Sequence, residues 1–237
     1  MGTDGPTAYD VADRYDEAYF ADLADRYRRR NRFARTRIAN VFRLLPALAG
    51  RSVLDLGCGM GTFTIEAARA GARAVGIDLA ASGIAAAARV AAAEGVAGAA
   101  FVRADVVALP VAAGSADVVL AADLTEHLDR GTLDGLLAEA RRVLRPGGQL
   151  VLYTPDRSHL LERLRAAGVL RDGDPSHIGM RSAAELAAAV AAAGFTVARV
   201  AHLPSHLPGL SLAERALGRW VPLLRRRAGL VAVRADD

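Results

Sequence analysis

The sequence predicts an α/β fold with a parallel sheet covered by helices on both faces, on three observations. Apolar, strand-like runs alternate with helix-like periodic stretches from residue 51 onward. One run, Val53–Thr64 (VLDLGCGMGTFT), breaks into glycines between strand-like and helix-like residues. Carboxylates stand at successive strands: Asp55 within the first, Asp78 and Asp105 at the ends of the next two.

Residues 8–49 read as helix. Tyr15, Tyr19, Phe20 and Leu23 recur at helical spacing, as do Ile38, Val41, Phe42 and Leu45. Between them Arg28–Arg30, Arg32, Arg35 and Arg37 read as a solvated basic face. Four of the five tyrosines (Tyr9, Tyr15, Tyr19, Tyr27) fall here. Packing accounts for most of them, but an aromatic helix ahead of a glycine turn can also cover a bound molecule. Tyr15 and Tyr19 are therefore candidate substrate contacts, and residues 1–50 a helical lid on a core of residues 51–237.

Val53–Leu56 is the first strand, followed by a helix to about Ala70. Ala74–Ile77 is the second, ending at Asp78, followed by an alanine-rich helix over 82–94. Ala100–Val102 leads into Asp105, and Asp117–Ala121 reads as a buried strand. Thr132–Leu144 is amphipathic and stops at the breaker Pro146-Gly147-Gly148. Gln149–Thr154 is the next strand. The irregular stretch 155–181 is too long for an ordinary connection, and long insertions in small domains often serve function. Ser182 and Glu185 form a capping box for a helix ending at Gly194. Phe195–Val200 and Leu230–Arg234 close the series of strands. The stretch 211–227 between them reads as a surface helix with a basic end, Arg225–Arg227.

With 52% hydrophobic residues, the 237-residue chain can bury a sizeable core. All 30 basic residues are arginine, so any single arginine cluster carries little weight, and a net charge of +4 permits nucleic acid without demanding it. One cysteine, Cys58, excludes an intramolecular disulfide framework and a multi-cysteine zinc site. The acidic N-terminus lacks an apolar signal region and no 18-residue apolar run occurs, so a cytoplasmic chain with no membrane span is expected.

Glycines at 57, 59 and 61 permit positive φ, and the N–H groups of such a turn are expected to point into the crevice above the sheet. Asp78 lies 21 positions after Gly57, the interval at which a strand-end acid meets both hydroxyls of a ribose. Asp105, at the same sheet edge, can accept from the exocyclic amine of adenine, with the Val106 N–H offered to a ring nitrogen.

These segments resemble those of class I S-adenosylmethionine-dependent methyltransferases over roughly residues 50–200. LDLGCGMGTF, VGIDLA, ADVVALP, ADVVLAADLTEHL and RRVLRPGGQLVLYTPD stand in that family's order and spacing. The resemblance implies a Rossmann-like, doubly wound sheet of seven strands, mostly parallel, with the last antiparallel. It implies S-adenosylmethionine as cofactor. Asp55 and the backbone at Gly57–Gly61 would hold its methionine portion, Asp78 its ribose, and Asp105 and Val106 its adenine. Ala122, Asp123 and Leu124 would lie beside the sulfonium; Cys58, Thr62 and Leu79 belong to the same cofactor-binding set.

Within the family, GARAVGID, the Glu-His-Leu after the fourth strand and YTPDR most resemble ubiquinone-type O-methyltransferases and their small-molecule relatives. Some of these bind a divalent cation through Glu-x-x-Glu-His, matched here by Asp123, Glu126 and His127. A metal such as Mg2+ is therefore left open without being favoured. An alcohol or phenol acceptor needs a base, and His127 and His177 are the candidates, ahead of His159. His177 and Tyr153 join the expected substrate contacts.

Asn/Asp-Pro-Pro-Tyr and Pro-Cys signatures of nucleobase methylation are absent from the motif positions, and no basic RNA-binding appendage is apparent. The expected partner is a small-molecule acceptor, in secondary metabolism, with the chain a monomer or homodimer. The alternatives are a catalytically silent S-adenosylmethionine-binding partner, an RNA methyltransferase and an NAD-dependent oxidoreductase. The last is disfavoured by the glycine spacing.

Overall fold

Seven strands form one sheet: β1 (Ser52–Leu56), β2 (Arg73–Asp78), β3 (Ala99–Arg103), β4 (Ala116–Ala122), β5 (Leu144–Pro155), β6 (Phe195–Leu203) and β7 (Arg227–Arg234). Their order is β3-β2-β1-β4-β5-β7-β6. β1 to β5 pair in parallel, and β7 runs antiparallel to both β5 and β6. The computed structural model describes residues 16–170, 174–205, 210–217 and 220–235. Tyr15 lies outside the described residues.

Alternate residues of the central strands serve opposite faces, as a sheet covered on both sides requires. Leu54, Leu56, Val119, Ala121, Leu150 and Leu152 meet one layer of helices. Val53, Val118, Leu120, Val151 and Tyr153 meet the other. On the first side α5 (Arg130–Val143) buries Leu133, Leu136, Leu137, Ala140 and Val143; each leucine of that stripe contributes roughly 1.5–3 kcal/mol. α7 (Ala183–Ala192) packs beside it and opens on the expected Ser182/Glu185 capping box.

The N-terminal segment is two helices rather than one. α1 (Glu17–Arg28) ends where Arg30 takes a φ of 48°, and Asn31 caps α2 (Arg32–Phe42) by accepting from the Ala34 N–H. α1 buries Phe20, Ala24 and Tyr27, and its Tyr27 hydroxyl donates to Glu66 at 2.6 Å. That glutamate belongs to α3 (Thr62–Arg69), which follows the glycine turn; α4 (Ala81–Ala93) follows β2.

Two further expectations are corrected. The strand expected from Gln149 begins earlier and takes in the breaker Pro146-Gly147-Gly148 that follows α5. β5 already starts at Leu144, paired with Ala116, and the register shifts before Gln149, with Gly147 at φ 71°. The supposed helix 211–227 is shorter, with α8 (Leu210–Leu217) and a single 3-10 turn (Pro222–Leu224) before Arg227 opens β7. The insertion 155–181 also carries a short helix, α6 (Leu160–Ala166). Among the described residues, no helix is long and apolar enough to cross a membrane.

Candidate active site

The chain runs outward from β1 through β2 to β3, then returns to place β4 on the other side of β1. That reversal opens a crevice beyond the strand ends, where ligands bind in open α/β sheets. A cavity of about 300 Å³ lies there.

The glycine turn forms one wall, with φ of 67°, 52° and 81° at Gly57, Gly59 and Gly61. Its N–H groups do not point into the crevice as expected. Gly57 and Cys58 donate to the Ile77 carbonyl at 2.8 and 3.0 Å, and Gly59 donates to Asp78 Oδ2 at 2.8 Å. These bonds fasten the turn to the end of β2, so the turn offers bare backbone surface instead. A Cβ at Gly57 would stand 2.7 Å from Leu124 Cδ1, and one at Gly59 3.3 Å from Phe20 Cε1.

Asp55 stands behind this wall. Its Oδ2 accepts from the Thr64 N–H at 3.0 Å and the Thr64 hydroxyl at 2.7 Å, which locks the first turn of α3. Burial pushes its carboxyl up to about 7. Gly61 also stays off the wall, packed toward Phe101 and Ala87, while Cys58 and Thr62 line it.

At one end of the cavity Asp78, Leu79, Asp105 and Val106 come together. Asp78 uses Oδ1 for the Ala80 N–H at 2.8 Å, and burial raises its carboxyl above the ordinary value. Asp105 Oδ1 accepts from the Val107 N–H at 3.1 Å. Each carboxylate keeps acceptor capacity beyond these bonds. Two strand-end acids beside bare backbone suit an adenosyl group: the residues fit the cofactor that the motifs imply.

At the other end Ala122, Asp123 and Leu124 carry the chain out of β4. Asp123 has a φ of 54°, a conformation that aspartate tolerates better than most residues. Arg37 donates to its Oδ2 through Nε and Nη2 at 2.7 and 2.6 Å, and Arg227 Nη1 binds Oδ1. Burial alone would raise the Asp123 carboxyl, but the two guanidiniums outweigh it and hold it below the ordinary range.

His127 and His177 face each other here with ring centroids 5.0 Å apart. The loop carrying His177 is pinned to the 124–128 turn. Gly179 N–H donates to the Glu126 carbonyl at 2.8 Å, and Arg181 Nη1 reaches the carbonyls of Thr125 and Leu128 at 3.0 and 3.1 Å. His127 Nδ1 lies 3.0 Å from the Ser176 carbonyl; a carbonyl only accepts, so Nδ1 carries the hydrogen. Burial, then the neighbouring His127, lowers the pKa of His177. His159 is elsewhere, buried as the cap of α6.

The metal set differs from the expected one. Glu126, His127 and His177 bring potential ligand atoms within 4.8 Å of one another, whereas Asp123 is taken up by its arginines. One carboxylate and two imidazoles do not suit Mg2+, which wants oxygens, and no step is assigned to it.

Tyr19 lines the cavity, but Tyr153 does not. The Tyr153 hydroxyl accepts from Asn40 at 3.2 Å, and its ring lies under the Arg227 guanidinium at 5.4 Å. The residues that sequence reading missed are Phe20, Arg37 and Arg227. Arg37 was readable as part of a solvated face, yet it falls four residues after Phe33 and four before buried Val41, on the inward side of α2. Arg227 carries no comparable signal, because its place depends on β7 pairing with β5, where it stands opposite Pro155.

Residues 53–148 match the methyltransferase domain family. A methyltransferase of Mycobacteroides abscessus is 37% identical over 109 residues, 46% of this chain and 41% of that protein. A ubiquinone biosynthesis O-methyltransferase of Nitrosococcus oceani is 34% identical over 112 residues, 47% of each chain. This chain thus spans about half the length, or less, of the curated relatives it matches first. A crystal structure of an S-adenosylmethionine-dependent methyltransferase from Aquifex aeolicus superposes with a TM-score of 0.68 at 16% identity, covering 93% of this chain and 99% of the other. Phosphoethanolamine N-methyltransferase 2 of Haemonchus contortus, in complex with S-adenosyl-L-methionine, gives 0.72 at 16% identity, covering 100% and 62%. At such identities these structures establish the shared fold.

Proposed function

Starting from a class I S-adenosylmethionine-dependent methyltransferase core, we propose that this chain transfers a methyl group from S-adenosylmethionine to an oxygen or nitrogen atom of a small molecule. The observation that carries this reading is one cavity joining a carboxylate-lined nucleoside end to a pair of facing imidazoles. When bound, S-adenosylmethionine supplies an activated methyl group. The chain supplies alignment, exclusion of water and a place for the acceptor's proton.

In this reading Asp78 holds the ribose hydroxyls, and Asp105 with the Val106 N–H holds the adenine. The bare turn at Gly57–Gly59 accommodates the methionine portion, with Asp55 bracing it from behind through Thr64. The N-terminal segment acts as the lid, and among its described residues Tyr19, Phe20, Leu23, Phe33 and Arg37 line the cavity. His177, kept neutral by burial, takes the acceptor's proton. His127 is oriented by the Ser176 carbonyl and supports it. The relatives named for ubiquinone biosynthesis O-methylation favour oxygen as the acceptor atom. A cytoplasmic role in secondary metabolism is the setting that the composition favours.

Calorimetric titration with S-adenosylhomocysteine, followed by a mass-spectrometric screen for methyl gain across candidate metabolites, tests the reading. No binding of S-adenosylhomocysteine would remove it.

A further inference from the structure

Resting on that functional reading, we propose that the methyl acceptor is an organic acid, held by its carboxylate on Arg37 and Arg227. Both arginines line the cavity, and both side chains are only 16% exposed. They converge on one carboxylate, Asp123, from opposite oxygens. Two cations and one anion leave the trio with one positive charge where water is scarce. Half-buried donors carrying a net positive charge on a cavity wall are complementary to an anionic ligand.

The donors left over point to the same ligand. Arg37 spends Nε and Nη2 on Asp123, and Arg227 spends Nη1. Among the described residues, no bond engages Arg37 Nη1 or the Nη2 of Arg227. Aromatic rings hold the guanidinium faces: Phe33 and Phe63 at 5.1 and 5.2 Å from Arg37, Tyr153 at 5.4 Å from Arg227. The N–H edges are thus what remains for a polar ligand.

The other acids of this end are engaged by neighbours of their own rather than by the two arginines. Glu126 accepts from the Thr154 hydroxyl at 2.9 Å. Asp174 spends Oδ1 on the backbone and hydroxyl of Ser176, at 2.9 and 2.6 Å. One remaining N–H edge on each guanidinium can meet the two oxygens of a single carboxylate. An acid anchored here would extend toward His127 and His177, which share the cavity.

The test titrates the protein saturated with S-adenosylhomocysteine with benzoate, para-hydroxybenzoate, cinnamate, the corresponding amides, and inorganic phosphate. At least one acid is expected to bind about tenfold or more tightly than its amide. Arg37→Gln and Arg227→Gln should each abolish that preference while keeping S-adenosylhomocysteine affinity, and Arg37→Lys should retain part of it. Equal binding of acids and amides, binding of none of them, or tightest binding of phosphate would overturn the proposal. So would an Arg→Gln variant that holds S-adenosylhomocysteine and keeps the full preference. Loss of S-adenosylhomocysteine binding by the wild-type protein would instead overturn the functional reading beneath it.

Discussion

Arg37 donates through Nε to Asp123 Oδ2 at 2.7 Å across 86 positions of sequence, tying α2 to the end of β4. Arg227 takes the other oxygen from the start of β7. Deleting the carboxylate would leave two largely buried guanidiniums beside each other with nothing between them. Asp123→Ala is therefore expected to cost about 3–5 kcal/mol, as breaking a buried ion pair does. Asp123→Asn keeps a hydrogen-bond acceptor and tolerates the φ of 54°, so it should lose less. Urea unfolding followed by circular dichroism measures both; an alanine variant as stable as the wild type would show that the clamp contributes nothing.

Asp78 accepts from the Gly59 and Ala80 N–H groups and lines the end of the cavity proposed to hold the nucleoside. Replacing it by Ala should weaken S-adenosylhomocysteine binding about tenfold or more, through the lost charged acceptor and the loosened turn. Asp78→Asn removes the charge but keeps one acceptor oxygen, and with it one of the bonds from Gly59 and Ala80, so it should weaken binding less than alanine does. Calorimetry reads the result, and unchanged affinity in the alanine variant would contradict the ribose assignment.

What was legible beforehand was what local chemistry dictates. Positive φ at Gly57, Gly59 and Gly61 is a backbone requirement visible in three letters, and Asp78 is placed as the last residue of β2 and Asp105 just beyond the end of β3. Arg227 was not legible, because a residue reading as the end of a surface helix becomes a cavity wall only when β7 inserts between β5 and β6. Composition hid Arg37 as well: where every basic residue is arginine, one more between helical positions looks like solvated surface. Pro146-Gly147-Gly148 hid the start of β5, since Gly147 at φ 71° lets the strand begin irregularly at Leu144, ahead of the expected Gln149.

His177 reaches the cavity through the Gly179–Glu126 and Arg181 contacts, and its pKa lies below the ordinary 6.5. A base with a lowered pKa stays unprotonated to more acidic pH, so the acid limb of the kcat profile should fall below that value. His177→Gln should remove the limb and reduce turnover by roughly two to four orders of magnitude, with S-adenosylhomocysteine affinity retained. A profile and rate matching the wild type, with the natural acceptor, would take His177 out of the mechanism.

Phe20 is 4% exposed and closes on Gly59 and Gly83, where a Cβ would come within 3.3 and 3.0 Å of its ring. Phe20→Ala removes the α1 side chain that meets the glycine turn, and with it that part of the proposed lid. Faster dissociation of S-adenosylhomocysteine is expected by stopped-flow, with a smaller change in association. An unaltered dissociation rate would mean that α1 does not retain the cofactor.

Asp55 gives stability a direction in pH. Its carboxyl has an ordinary value of 3.8 and is pushed up to about 7 in the folded chain, mainly by burial, against the opposing bonds from Thr64. Between those values the folded state holds a proton that the unfolded state has released. Stability is therefore fully present below the unfolded value and declines as pH rises toward and through the folded one, by an amount on the order of a few kcal/mol. Asp78, also raised by burial, adds a slope of the same sign, so the variant must be compared with the wild type at each pH. Asp55→Asn cannot ionise and still offers an oxygen to the Thr64 N–H and hydroxyl. Relative to the wild type, its melting temperature should gain between about pH 5 and about pH 8. Parallel melting curves across that interval would show that Asp55 is ionised throughout and that Thr64 alone compensates its burial.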